Sequence, residues 1–110
     1  SLTPPSLLAR LISTVRERYG LSEGAECTLE MDPGTFDDDK LRRFVDAGVT
    51  RVSLGVQAFD QEVLLAAGRA HGVREVEAAL EVLFARSEYA HLSVSIDLIS
   101  GLPHQRRDVW

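Results

Sequence analysis

The chain has 110 residues, of which 45% are hydrophobic and 26% charged, the composition of one folded domain rather than of a disordered segment. Twelve Lys and Arg against 17 Asp and Glu leave a net charge of −5, so no broad basic footprint is present and no nucleic-acid partner is expected. The single cysteine, Cys27, excludes an internal disulfide and any metal cluster held by several thiolates of this chain, and it reads as a small buried hydrophobe without a catalytic role.

In chain order, Leu7, Leu8, Leu11, Ile12 and Val15 recur at helical spacing between Pro4-Pro5 and Gly20, which predicts a helix over Ser6 to Tyr19. A strand from about Glu26 to Met31 follows and is stopped by Asp32-Pro33-Gly34. Thr35 then offers a cap for a helix with Phe36, Leu41, Phe44 and Val45 on its apolar face. Asp37, Asp38 and Asp39 suit the positive end of that helix, and Gly48 suits its stop. Arg51 to Val56 is the second strand, and Asp60 opens a short helical turn that runs to Ala67. Val73 to Arg86 is a further helix that turns Val76, Ala79, Leu80, Leu83 and Phe84 inward, and a third strand runs from about Leu92 to Ile99 before the Gly101-Leu102-Pro103 loop.

Strands alternating with helices imply right-handed crossovers and a parallel α/β sheet. Three such units form a slice of a barrel or of a doubly wound sheet with both sheet edges open, so residues 1–110 are expected to be an internal fragment of a longer protein. No apolar run approaches the roughly 20 residues of a spanning helix, and the N-terminus lacks a signal peptide's order, so a soluble, intracellular chain without a membrane span is expected. The compartment stays open between cytoplasm and an organelle such as mitochondrion or chloroplast.

Each strand ends in one polar residue beside a chain-breaking Gly or Pro. In a βα barrel the C-terminal strand ends carry function, because the loops there vary while the packed interior does not. Glu30 lies on the opposite strand face from Leu29 and Met31 and points into the barrel, with a solvated strand-end acid as the equal alternative. Gln57 follows Gly55-Val56, where a glycine marks a bulge or a close approach; its alternative role is to satisfy loop backbone. Asp97 stands among Ile96, Leu98 and Ile99 and needs a dedicated donor. Arg69, in Gly68-Arg69-Ala70-His71, is placed by connectivity on the same rim as Gln57, where it suits a carboxylate; a surface ion pair is the bland reading. His71, His91 and His104 lack the close spacing of a metal site.

The strings Glu26 to Thr35, Arg51 to Phe59, Gly68 to His71 and Ser95 to Pro103, taken together, resemble the radical SAM family of oxygen-independent coproporphyrinogen III oxidase and the heme chaperone HemW. The resemblance covers nearly the whole chain. It implies part of a partial TIM barrel that binds S-adenosylmethionine beside a 4Fe-4S cluster, which cleaves that cofactor to a deoxyadenosyl radical. Matched residue by residue, it places Glu30, Gln57, Arg69 and Asp97 on cofactor-contacting positions. It assigns no catalytic or metal-ligating residue here, because the family's CxxxCxxC motif and its glycine-rich stretch have no counterpart in the sequence.

The implied role is therefore the S-adenosylmethionine-binding wall of a protein of porphyrin or heme metabolism. Porphyrin or heme is the expected partner of the intact parent, and the chain alone is expected to be inactive. Asp32-Pro33-Gly34-Thr35 and Gly68-Arg69-Ala70-His71 look more like the HemW branch. A coproporphyrinogen oxidase, a heme chaperone without turnover and an inactive truncated product all stay open.

Overall fold

The computed structural model describes residues 2–108. Its elements are α1 (Pro5–Tyr19), β1 (Thr28–Met31), α2 (Asp38–Ala47), β2 (Arg51–Gln57), α3 (Gln61–Ala66), α4 (Val73–Phe84), a 3₁₀ turn (Ser87–Tyr89) and β3 (Ser93–Leu98). The strands form one parallel sheet in the order β1-β2-β3, as the alternation of strands and helices predicts. The register sets Glu30 beside Ser53 and Ser53 beside Ser95. Among the described residues no helix is long and apolar enough to cross a membrane.

Strand alternation divides the sheet into two chemistries. Met31, Val52 and Leu54 enter a core shared with Leu41 and Phe44 of α2 and Val76, Ala79 and Leu83 of α4, with Leu29 and Val94 packed against it. The opposite face carries Thr28, Glu30, Arg51, Ser53, Ser95 and Asp97. A second, smaller cluster of Ala58, Val63 and Leu64, with Val73 and Leu102 against it, sits under the loops at the C-terminal strand ends. Those loops therefore have their own apolar anchor.

Helix ends follow local chemistry, with one correction. Asp37, not Thr35, caps α2: its side chain accepts from the Lys40 N–H at 2.8 Å. Thr35 is occupied elsewhere, because its hydroxyl and its N–H both donate to the Asp32 carbonyl. Pro33 and Gly34, the latter at φ 79°, complete that turn as the residues of type II geometry. At the far end of α2, Gly48 at φ 113° lets its own N–H reach the Val45 carbonyl and that of Val49 reach Phe44. Asp60 caps α3 as the sequence indicates, accepting from Val63.

One other expectation changes. Phe84 is 65% exposed rather than inward, because α4 ends there and the core at that end is closed by Leu83 and Tyr89. The Tyr89 hydroxyl donates to the Asp38 carboxylate at 2.9 Å, tying the 3₁₀ turn to α2; burial, then that carboxylate, pushes the phenol's pKa up. On α1, Ile12 is buried but Leu7 and Leu11 are half exposed. Ile96, Leu98 and Ile99 around Asp97 are also partly exposed, since β3 is an edge strand here.

The start of α4 carries a pH-dependent contact. The Gly72 N–H donates to the Glu75 carboxylate at 2.8 Å, and that bond holds the Glu75 pKa below its ordinary value. A carboxylate whose pKa is lowered in the fold stabilises above its unfolded pKa of about 4.3, and this contribution disappears as pH falls through the lower, folded value. Thermal unfolding followed from pH 7 to pH 3 should therefore show a smaller acid-side loss in Glu75→Gln than in the parent sequence. Equal losses would mean that the bond contributes nothing.

Candidate functional site

The C-terminal ends of all three strands meet at one hollow of roughly 260 Å³, lined by Glu30, Met31, Asp32, Ser53, Gly55, Gln57 and Asp97. Three of the four residues singled out from the sequence are thus brought together. Glu30 arrives because Leu29 and Met31 occupy the helix-facing side of β1, which turns the residue between them inward. Its carboxylate has no hydrogen-bond partner among the described residues.

Gln57 arrives through a break in β2. The pairing with β3 shifts register between Leu54 and Gln57, so the glycine does mark an irregularity. A Cβ on Gly55 would lie 2.9 Å from the Gln57 amide nitrogen and 3.1 Å from an Asp32 carboxylate oxygen. Only the absence of a side chain lets those two groups close over the strand. Gln57 itself has φ 70°, and the Ala58 N–H returns to the Val56 carbonyl at 2.9 Å, which makes Gln57 the centre of a strained γ-turn. A non-glycine residue held there costs on the order of 1–3 kcal/mol, and such strain gathers at functional sites. Gln57→Gly should accordingly keep or raise the thermal unfolding midpoint while it removes the amide from the hollow. A clear fall in the midpoint would show that the turn is not strained.

Asp97 finds the donor that its surroundings in the sequence require. The Ser53 hydroxyl donates to Asp97 Oδ2 at 2.8 Å, although the acid is exposed in this chain rather than buried. Strand-end reasoning does not single out Ser53, yet the alternation Arg51, Ser53, Gly55 already sets it on the inner face.

Arg69 does not line the hollow. Its Nη2 reaches Asp32 Oδ1 at 2.8 Å, which joins the loop after α3 to the turn after β1 and holds one wall of the hollow in place. Its Nε is buried without a hydrogen-bond partner among the described residues, so one donor of the guanidinium is unsatisfied. His71, close by, is buried, and its Nε2 lies 3.1 Å from the Val56 carbonyl. A carbonyl only accepts, so that nitrogen carries the proton and the ring is a strut for the end of β2. Gln105, also missed in the sequence, fixes the loop after β3: its side-chain oxygen accepts from Gly101 and Leu102, and its amide donates to the Ile99 carbonyl.

Three carboxylates, from Glu30, Asp32 and Asp97, face the hollow, and one of them is paired with Arg69. The balance favours a ligand with cationic centres and hydrogen-bond donors. Cys27 precedes β1, at the opposite end of the strand from the hollow, and its N–H donates to Thr50 Oγ1. A single thiol in that place does not fit an iron–sulfur cluster.

The sequence profile of the radical SAM superfamily matches residues 3–109. This chain belongs to that superfamily. It is 38% identical over 110 residues to the heme chaperone HemW of Synechocystis sp., covering 100% of this chain and 26% of that protein. It is 31% identical over 105 residues to the oxygen-independent coproporphyrinogen III oxidase of Paracoccus denitrificans, covering 96% of this chain and 23% of that one. The solved structure of coproporphyrinogen III oxidase from Escherichia coli, a radical SAM enzyme, superposes with a TM-score of 0.82 at 31% identity, over 97% of this chain and 24% of the other. The radical SAM chain thus spans about a quarter of the length of these relatives. Its parallel βα units are those of the radical SAM fold.

Proposed function

We propose that these 110 residues form one wall of the S-adenosylmethionine site in a longer radical SAM protein of heme or porphyrin metabolism. The observation that carries the reading is the convergence of Glu30, Gln57 and Asp97 on one acidic hollow at the C-terminal ends of the strands. The residues suit the cofactor. Its ammonium and sulfonium centres match an acidic wall, Glu30 and Asp97 accept from amine or hydroxyl donors, and Gln57 both donates and accepts. Arg69 serves the cofactor site through Asp32, whose carboxylate it pairs with at the wall of the hollow.

When bound beside a reduced cluster, S-adenosylmethionine supplies the radical chemistry of the superfamily. This chain's residues bind and orient that cofactor, and the thiolates that hold a cluster would come from other parts of the protein.

Within that class the HemW-like branch is the preferred reading. Asp32-Pro33-Gly34-Thr35 builds the turn that presents Asp32 to Arg69 of Gly68-Arg69-Ala70-His71, so the strings that suggest this branch also meet in space. The test is anaerobic incubation of the longer protein, cluster reconstituted, with coproporphyrinogen III and separately with heme. Stoichiometric heme capture without decarboxylation supports the chaperone. Catalytic decarboxylation would overturn it in favour of the oxidase.

A further inference from the structure

The inner face of the sheet carries a hydrogen-bond chain whose direction is fixed by its first member. Arg51 Nη2 donates to Ser95 Oγ at 2.8 Å, Ser95 Oγ lies 3.1 Å from Ser53 Oγ, and Ser53 Oγ lies 2.8 Å from Asp97 Oδ2. A guanidinium has no acceptor, so Ser95 must receive from it and direct its own proton onward. Ser53 then receives from Ser95 and directs its proton to the carboxylate. Every donor along the chain points towards the hollow.

Register makes the chain possible. Ser53 and Ser95 are direct partners in the β2–β3 pairing, so two short hydroxyl side chains stand side by side. Arg51, two residues before Ser53, lies on the same face, and its Nη1 is steadied by Thr28 Oγ1 at 3.3 Å. Ser53 is buried, so it has little recourse to solvent for another donor or acceptor.

We infer that Arg51, Ser95 and Ser53 are positioning residues for the ligand-binding carboxylate of Asp97. The chain occupies Oδ2 and fixes the carboxylate plane. Oδ1 is left without a protein partner among the described residues, as the acceptor for a ligand hydroxyl or amine. This inference rests on the cofactor reading above, and it adds that the support of that site extends along the sheet to Arg51, two residues before Ser53 on β2.

The test is calorimetric binding of S-adenosylmethionine to the longer protein. Ser53→Ala and Ser95→Ala should each weaken binding by about tenfold, the worth of a hydrogen bond to a charged group, while their thermal unfolding midpoints stay near that of the parent. Ser95→Thr, which keeps the hydroxyl on a strand-favouring residue, should restore binding to within about twofold. On an Asp97→Asn background, Ser53→Ala should add little further loss, because its effect runs through that carboxylate. Unchanged binding in both alanine variants would overturn the inference, as would losses fully additive with Asp97→Asn. If Glu30→Gln and Asp97→Asn both bind like the parent, the cofactor reading itself has failed and the positioning role falls with it.

Discussion

Glu30→Gln combined with Asp97→Asn is expected to weaken S-adenosylmethionine binding by the longer protein by about a hundredfold or more. Each substitution replaces a carboxylate with an amide of the same shape, so what is lost is charge rather than volume. Hydrogen bonds to charged groups contribute about 1.5–3 kcal/mol each, and two such losses reach or exceed two orders of magnitude in affinity. The fold should be indifferent, because Glu30 has no partner within the described residues and an amide at 97 can still accept from Ser53. An affinity within about threefold of the parent would remove both residues from the site.

The largest expected effect on stability comes from Phe44→Ala. Phe44 is fully buried at the centre of the interface between α2 and the sheet, among Leu41, Val49 and Val52. Truncating such a ring costs about 3–5 kcal/mol, from lost burial and from the cavity left behind. The Lys40 ammonium, 5.8 Å from the ring centroid, loses its aromatic neighbour as well. Domains of this size are stable by only about 5–15 kcal/mol, so the denaturant midpoint should drop steeply or the variant should fail to accumulate. A stability within about 1 kcal/mol of the parent would mean that α2 does not depend on this contact.

The element order and the parallel sheet are legible in the period-2 and period-3.6 patterns of the chain. Residues with a strong local signal, such as Asp60 at a helix start or Glu30 between two apolar neighbours, fall where that signal puts them. The failures arise where competition is decided in three dimensions. Thr35 has the chemistry of a cap, yet its hydroxyl closes the turn onto the Asp32 carbonyl, and Asp37, two residues on, has the extended backbone that a cap requires. Phe84 has the right period but stands at the last turn of α4, past the edge of the core.

The candidate site divides in the same way. Glu30, Gln57 and Asp97 are readable because strand ends are special positions. Connectivity assigns Arg69 to the same rim, and its actual reach to Asp32 depends on a long-range contact that no local pattern encodes. Ser53 and Ser95 carry a usable signal in their alternation with Arg51 and Asp97, but register alone makes them neighbours.

If the three strand ends of this chain form a cofactor wall, hydrogen exchange of the longer protein with and without S-adenosylmethionine will register all three at once. Added cofactor should slow exchange in peptides covering Glu30 to Gly34, Gly55 to Phe59 and Ser95 to Ile99, while α1 exchanges as before. Cofactor binding that leaves all three segments unchanged, or that protects only α1 and its surroundings, would contradict the assignment of these strand ends to the cofactor.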